Sequence, residues 1–257
     1  MSRRVGGTWT AAENVTHDST ASLSPAMTRG QDGALHMVWE DKWGDNSRIL
    51  YACCPDSAWS EPVCLSREGA LATSPAIAAA SDGKIYVVWA EREKNRQNVF
   101  CRELSRGEWK GPVQVNGGGH SGTRPSVATG SRATVHVVWE GHRHDKPAIC
   151  YRQKTGRRWQ TEAELTDGSS KAFRPVVAAG PGGSAYAAWY DDRWGVPQAT
   201  LRVREDGKWG PVCRVNESDA PTYFVTVEVD KSGGAHLLFQ DRRRGTYDVY
   251  YKRGATQ

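Results

Sequence analysis

The sequence predicts an all-β protein, a five-bladed β-propeller of four-stranded antiparallel blades. Three observations predict it: a 50-residue repeat, short strand patterns separated by turn residues, and no helical periodicity. A period in this range is typical of propellers and solenoids, in which each repeat buries its apolar face against its neighbours. The repeat is clearest in apolar runs that end, 50 residues apart, at Trp39, Trp89, Trp139, Trp189 and Phe239.

Each repeat contains the signals of four strands, as the second repeat shows. Its first strand begins at Ser74-Pro75, where a proline costs no hydrogen bond of the sheet. Asp82-Gly83 then forms a tight turn into an apolar second strand. A polar loop and a second turn separate the remaining strands. We assign the four strands to 74–79, 85–90, 98–103 and 109–116.

The ends of the chain predict how the ring closes. Residues 9–16 match the outer strand of a blade and precede any complete blade, whereas the last repeat stops after its third strand. The N-terminal segment is therefore expected to complete the last blade, which removes two open sheet edges. We predict one domain over 1–257, with blades at 24–66, 74–116, 124–166, 174–216 and 224–253 plus 9–16.

Composition argues against several classes of partner. The formal net charge is +5, and acidic residues are interspersed, unlike the one-sided basic face of a nucleic-acid binder. No apolar run approaches the ~18 residues of a transmembrane helix, and no signal-peptide pattern begins the sequence. The six cysteines lack zinc spacing, which agrees with a cytoplasmic, reduced protein. No cofactor or metal is expected, since His142 and His144 have no third ligand at metal spacing.

The candidate binding residues lie in loops that share one face of the predicted propeller. The loop after each second strand is rich in charge, and the start of each first strand lies beside it. Charged planar groups bond sugar hydroxyls or a carboxylate, and aromatic rings stack on sugars. Trp43 and Trp194 are candidates for stacking on a sugar. The other tryptophans form two repeated sets: those at positions 39, 89, 139 and 189 are expected to pack in the core, and those at 9, 59, 109, 159 and 209 at blade edges. The candidates are Glu40, Asp41, Trp43, Glu91, Arg92, Arg124, Glu140, His142, Arg174, Asp191, Asp192, Trp194, Asp241 and Arg242.

The turns before the outer strands carry a family resemblance. They keep a tryptophan and often a glycine, and read Asp56-Ser57-Ala58-Trp59, Arg106-Gly107-Glu108-Trp109, Gly156-Arg157-Arg158-Trp159 and Asp206-Gly207-Lys208-Trp209. With Tyr86-Val87-Val88-Trp89 and Tyr190-Asp191-Asp192-Arg193, they resemble the sialidase-like (neuraminidase, BNR-repeat) propellers, whose blades carry an Asp-box at this turn. The resemblance covers the entire chain at the level of the repeat.

For an enzyme, the resemblance implies a glycoside hydrolase with a defined set of residues. Arg124, Arg174 and Arg242 or Arg243 would clamp the substrate carboxylate. Asp191 or Asp192 would be the acid and Tyr223 the nucleophile, although no glutamate is clearly placed to activate that tyrosine. The sialidase family also has six blades and individual catalytic loops, whereas the repeats here have equal length.

Uniform repeats favour a binding protein over an enzyme. Catalysis needs one asymmetric arrangement of different residues, whereas multivalent binding can use several similar weak sites. We therefore predict a non-catalytic, lectin-like propeller that binds a glycan. The alternatives are a protein-interaction scaffold and a sialidase-like glycoside hydrolase. A lectin should show similar inter-blade pockets with aromatic walls, an enzyme one deep pocket with two carboxylates about 5–9.5 Å apart, and a scaffold a broad apolar surface.

Overall fold

A computed structural model describes residues 4–5, 8–117, 119–143 and 145–254. Within these ranges the chain forms β-strands and one short 3-10 turn, Pro181–Gly183, and no helix there could cross a membrane. The strands group into five units that follow the sequence repeat. A short hairpin of β1 Arg4–Val5 and β2 Thr8–Trp9 precedes them.

Each unit begins with three long strands. Unit 1 contains β3 Ser22–Arg29, β4 Leu35–Trp43, β5 Asn46–Cys54 and β6 Val63–Cys64. Unit 2 contains β7 Leu71–Ala79, β8 Ile85–Glu93, β9 Arg96–Ser105, β10 Glu108–Trp109 and β11 Val113–Gln114. Unit 3 contains β12 Gly122–Gly130, β13 Thr134–Arg143, β14 Lys146–Thr155, β15 Arg158–Trp159 and β16 Ala163–Glu164. Unit 4 contains β17 Ala172–Ala179, β18 Ala185–Asp191, β19 Gln198–Glu205, β20 Lys208–Trp209 and β21 Cys213–Arg214. Unit 5 contains β22 Thr222–Val229, β23 Ala235–Asp241 and β24 Asp248–Gly254.

Neighbouring strands within a unit pair antiparallel and in chain order. The outer strand pairs with the third strand only in short pieces, as β10 and β11 do with β9. Pro62, Pro112 and Pro211 lie just before the second piece in three of the units, and a proline has no N–H to donate to a sheet. The predicted outer strand is therefore present in units 1–4 but is interrupted.

A bulge recurs near the start of every first strand. The register shifts by one residue between Leu23 and Ala26, and at the same place in the other four units. The residue in the bulge adopts the left-handed conformation, with φ between 46° and 55°, a strained state for a residue other than glycine. Bulges re-aim side chains and often lie near functional sites. The bulge residues are Ser24, Ser74, Arg124, Arg174 and Phe224.

The core lies between the units and uses the repeated tryptophans. Trp89 packs against Val38, Ile49 and Tyr51 of unit 1, and the equivalent interfaces of units 2–3, 3–4 and 4–5 are built alike. Trp39, Trp89, Trp139 and Trp189 are at most 1% exposed, which confirms their predicted place in the core. The outer-strand Trp109 and Trp209 meet Tyr51 and Tyr151 edge-on, with ring centroids 4.9 Å apart.

Among the described residues, unit 5 and unit 1 do not pack together as successive units do. The first strands of successive units contact each other, but no comparable contact joins β22 to β3 in the described part of the chain. Among the strands that the structure describes, β24 pairs with β23 alone. Trp9 is 71% exposed and pairs with Arg4 in the hairpin, so the predicted closure by residues 9–16 is not confirmed. A local hairpin costs less loop entropy than pairing the two ends of the chain.

A buried histidine makes the stability of this core depend on pH. His136 is fully buried beside Tyr151, its Nδ1 2.8 Å from the phenol oxygen, and burial lowers the pKa of the imidazole to about 4. An unfolded histidine titrates near 6.5, so between pH 6.5 and 4 the unfolded state binds more protons than the folded state. Acidification through this window is expected to remove about 3 kcal/mol of stability. Urea unfolding of His136→Gln should show a flatter pH dependence there, and an unchanged slope would contradict this role.

Candidate functional site

The candidate site lies on the face where the first strands begin and the second strands end, here called the upper face. Five side chains of units 3–5 come together on it and form what we call the Arg–Tyr cluster: Arg124, Glu140, Arg174, Tyr190 and Tyr223. The bulges of β12 and β17 supply the two arginines. The ends of β13 and β18 supply Glu140 and Tyr190, and Tyr223 comes from β22.

The polar contacts of the Arg–Tyr cluster centre on Glu140. Nη1 of Arg124 lies 3.0 Å from Oε1 of Glu140, and the backbone N–H of Arg174 donates to Oε2 at 3.2 Å. The Arg174 guanidinium lies 4.8 Å from the ring centroid of Phe224, is exposed, and has no ion pair among the described residues. The cluster therefore presents one paired and one unpaired arginine to solvent.

Aromatic rings extend the cluster into a wall. Tyr190 stacks on Phe173 at 5.5 Å between centroids and meets Tyr223 edge-on at 5.1 Å. Tyr223 in turn lies 6.0 Å from Tyr247. Burial raises the pKa of Tyr190; Glu140 and Tyr223 raise it further, while Arg174 and Arg124 oppose them. The phenol therefore stays protonated at neutral pH and can donate a hydrogen bond.

A second set of predicted residues is buried beneath the upper face. Asp41, Glu91, Asp191 and Asp241 occupy one position of the repeat and are at most 1% exposed. Trp89 and Trp189 donate Nε1 hydrogen bonds to the carboxylates two residues later, at 2.9 and 3.2 Å. These contacts give the two carboxylates a structural role, and their part in ligand binding stays a prediction.

Arginines form ion pairs with three of these buried carboxylates. Arg193 lies 2.9 Å from Asp191, Arg243 lies 2.7 Å from Asp241, and Arg67 pairs closely with Glu91. Burial of Asp241 opposes its ionisation, but the hydrogen bonds and charge of Arg243 outweigh burial and lower the pKa of this carboxyl. Such a carboxyl is a poor general acid, because that role needs a raised pKa.

The remaining predicted residues are spread around the rim. Glu40 is buried and pairs with Lys42 at 3.0 Å. Oδ1 of Asp192 accepts a 2.8 Å hydrogen bond from the backbone N–H of Lys171. Arg92, His142 and Arg242 are exposed, and the Arg242 guanidinium lies 5.9 Å from the Tyr247 ring. His144 lies outside the described residues, and within those residues no group of three or more His, Cys, Asp or Glu side chains could hold a metal ion.

The two candidate stacking tryptophans differ in their surroundings. Trp43 is 59% exposed, with the Arg48 guanidinium 4.3 Å from its ring centroid. With Arg48 and Arg67 it lines a cavity of about 540 Å³ between unit 1 and the connector that leads to unit 2. Trp194 is half-buried between Arg193 and Arg214, at 5.6 and 5.8 Å. Trp43 has one arginine against its ring and Trp194 has two, so Trp43 is the more accessible of the two rings.

Two further inter-unit cavities lie on the face opposite the predicted one. The first, of about 270 Å³, has Tyr86 and Trp159 as aromatic walls and Lys154 between them. The second, of about 890 Å³, has Tyr51, His36 and Trp109 at the same place between units 1 and 2. The periodic tryptophans of the outer strands were the sequence signal for these cavities. Aromatic-walled pockets between units are thus present, but chiefly on the lower face.

Comparison with known proteins establishes the fold. No protein-family model matches the chain, and no curated protein matches it. A protein of unknown function from Dyadobacter fermentans superposes with a TM-score of 0.68 at 13% identity, over 93% of this chain and 79% of that one. A Hadza microbial sialidase gives a TM-score of 0.62 at 13% identity, over 91% of this chain and 56% of its own.

An ulvan lyase bound to a saccharide of glucuronate and sulfated rhamnose gives a TM-score of 0.66 at 11% identity, over 89% of this chain and 66% of its own. The chain therefore shares the fold of this sialidase and this lyase. The likeness covers just over half of the sialidase and two thirds of the lyase. Sequence identities of 11–13% show a shared fold and not a shared activity.

Proposed function

We propose that this propeller binds acidic carbohydrate on its upper face, through the Arg–Tyr cluster, without cleaving it. The observation that carries the proposal is the exposed, unpaired guanidinium of Arg174 beside an aromatic wall. A guanidinium forms directed, charge-assisted hydrogen bonds with a carboxylate or sulfate, and aromatic rings pack on the apolar face of a sugar. The ulvan lyase, a neighbour in fold, holds a saccharide of this acidic kind.

The five repeats do not offer five equal sites on this face. At the bulge position the residues are serine in units 1 and 2, arginine in units 3 and 4, and phenylalanine in unit 5. At the position of Glu140 they are Glu40, Ala90, Tyr190 and Gln240 in the other units. One asymmetric site on units 3–5 therefore fits the upper face better than five weak sites do. We propose a lectin-like propeller with five blades, one for each unit.

Binding without cleavage fits the state of the carboxylates. Asp191 and Asp241 are fully buried and paired with arginines, and Glu140 is engaged by Arg124 and by the Arg174 backbone. A glycosidase needs an acid and a second carboxylate at the scissile bond, or a tyrosine with an adjacent base. Tyr190 has Glu140 nearby, so hydrolysis is the second candidate function, and the experiments below distinguish it from binding.

A glycan array tests this proposal. The wild-type protein should give signal on glycans that carry uronate, sialate or sulfate groups and little signal on neutral glycans. Arg124→Gln should weaken that signal, because its guanidinium borders the proposed site. Arg158→Gln, an exposed arginine at the lower face, is the matched control and should bind as the wild type does. An array without signal, or one on which neutral glycans bind equally well, would contradict the proposal.

A further inference from the structure

A repeated packing scheme of aromatic rings is interrupted on the lower face between units 2 and 3. Tyr51 of unit 1 and Tyr151 of unit 3 each meet the outer-strand tryptophan of the next unit edge-on, with ring centroids 4.9 Å apart. The residue at this position in unit 2 is Cys101. Among the described residues, no aromatic ring pairs with Trp159, the outer-strand tryptophan of unit 3. The tyrosine ring of the scheme is therefore missing here.

The cavity of about 270 Å³ lies where that ring is missing, and we call it the unit 2–3 cavity. Cys101 is one of its lining residues and is buried, while Tyr86 and Trp159 are its aromatic walls. The cavity between units 1 and 2 is larger, about 890 Å³, but there Tyr51 already covers the ring of Trp109. A volume at the lower end of the range for small-molecule sites suits a ligand of one ring.

Three charged side chains border the unit 2–3 cavity and form what we call the Glu103 triad: Glu103, Lys110 and Lys154. Nζ of Lys110 lies 2.5 Å from Oε1 of Glu103, and Nζ of Lys154 lies 2.8 Å from Oε2. Burial opposes the ionisation of Glu103, but the hydrogen bonds and charges of the two lysines outweigh burial and lower the pKa of this carboxyl. A carboxylate can accept about four hydrogen bonds, so Glu103 has room for a further donor.

The sequence repeat shows that the fold does not require the Glu103 triad. No other unit has an acid at the position of Glu103, where the residues are Cys53, Gln153, Val203 and Arg253. No other unit has a lysine at the position of Lys110 or of Lys154. Burial of charged groups costs solvation energy, and the other units pack without that cost. A buried charged cluster at the edge of a cavity is therefore a candidate binding site.

Unit 3 shows where a ring in this position places its hydroxyl group. Oη of Tyr151 lies 2.8 Å from Nδ1 of His136 and 3.4 Å from Oε1 of Gln153. The residues at the positions of His136 and Gln153 in unit 2 are Tyr86 and Glu103. A ring that fills the unit 2–3 cavity in the same way would therefore bring a hydroxyl group to the Glu103 carboxylate.

We propose that the unit 2–3 cavity binds a small phenol, whose ring takes the place of the missing tyrosine side chain. The ring lies against Trp159, and the phenol hydroxyl donates to the Glu103 carboxylate. Lys154 lies beside the ring, as the Arg204 guanidinium lies 6.0 Å from the ring centroid of Tyr151 between units 3 and 4. The cavity is on the lower face, so the inference does not depend on the proposed function of the upper face.

An NMR titration of the unmodified protein with p-cresol, the tyrosine side chain as a free molecule, tests the proposal. p-Cresol should shift the indole N–H resonance of Trp159 in a saturable way and leave that of Trp109 unchanged, because Tyr51 covers the Trp109 ring. Toluene lacks the hydroxyl group and should bind about 10-fold more weakly, because it cannot donate a hydrogen bond to the charged Glu103. No saturable shift at Trp159, an equal shift at Trp109 or equal affinity for toluene would overturn the proposal.

Two substitutions at Cys101 provide a second measurement. Cys101→Tyr restores the ring that units 1 and 3 have at this position, and it should remove p-cresol binding while the circular dichroism spectrum stays that of the wild type. Cys101→Ala leaves the cavity open and is the matched control, which should bind p-cresol as the wild type does. Binding by Cys101→Tyr, or loss of binding in Cys101→Ala, would overturn the proposal. Arg174→Ala should leave the affinity for p-cresol unchanged, which separates this site from the Arg–Tyr cluster.

Discussion

Replacement of Trp89 by alanine is expected to lower the free energy of unfolding by about 3–5 kcal/mol. The indole is fully buried between units 1 and 2 and packs against Val38, Ile49 and Tyr51. Its removal leaves a cavity and takes the Nε1 hydrogen bond from the buried Glu91. Because each unit buries its core against its neighbours, the loss should weaken the whole stack rather than one sheet. Urea unfolding, followed by circular dichroism, measures the change.

Trp43→Ala is the matched control for that experiment. Trp43 is 59% exposed at the end of β4, so its replacement is expected to change the free energy of unfolding by no more than about 0.5 kcal/mol. Equal effects of the two substitutions would show that the repeated tryptophans are not the packing elements between units. The contrast therefore tests the packing scheme and not merely the presence of tryptophan.

Replacement of Arg174 by alanine is expected to weaken binding of an acidic sugar about 10- to 100-fold. A hydrogen bond to a charged group contributes about 1.5–3 kcal/mol, which corresponds to this range of affinity. The side chain is exposed and has no ion pair in the described ranges, so the melting temperature should stay close to that of the wild type. Calorimetric titration with a glucuronate-containing disaccharide measures the affinity.

Arg174→Lys refines the result. A lysine keeps the charge but loses the planar pair of donors and the contact with Phe224. Intermediate affinity is expected if the guanidinium makes directed bonds to the ligand. Wild-type affinity in both Arg174 variants would place the site elsewhere, with the aromatic-walled cavities of the lower face as the next candidates.

The strands were predictable because the repeat shows each of them five times. The predicted 74–79, 85–90 and 98–103 correspond to Leu71–Ala79, Ile85–Glu93 and Arg96–Ser105. The bulge at Ser74 and its equivalents was not predicted, because a left-handed serine or arginine leaves no signal in residue type. Placement of residues 9–16 rests on pairing between distant parts of the chain, which sequence periodicity suggests and local propensity does not decide.

The candidate site was predictable in part. The charged loops did include Arg124, Glu140 and Arg174, and the structure brings these three together. Alternate residues of a strand face opposite sides, yet the adjacent carboxylates Glu40 and Asp41 are both buried, which this alternation does not predict. Tyr190 was not predicted as a member of the cluster. The equivalent residues in units 1–3 are Glu40, Ala90 and Glu140, so the change to tyrosine in unit 4 was a signal that could have identified it.

The most direct test of the central claim is an NMR titration of an acidic oligosaccharide with the wild-type protein. Broadening of the sugar resonances reports binding, and the anomeric signals of the same sample report cleavage. We expect concentration-dependent broadening that Arg174→Ala strongly reduces at the same concentrations, with the glycosidic bonds intact after prolonged incubation. New reducing-end signals would show a glycosidase instead, and unchanged sugar spectra would show that the upper face does not bind acidic carbohydrate.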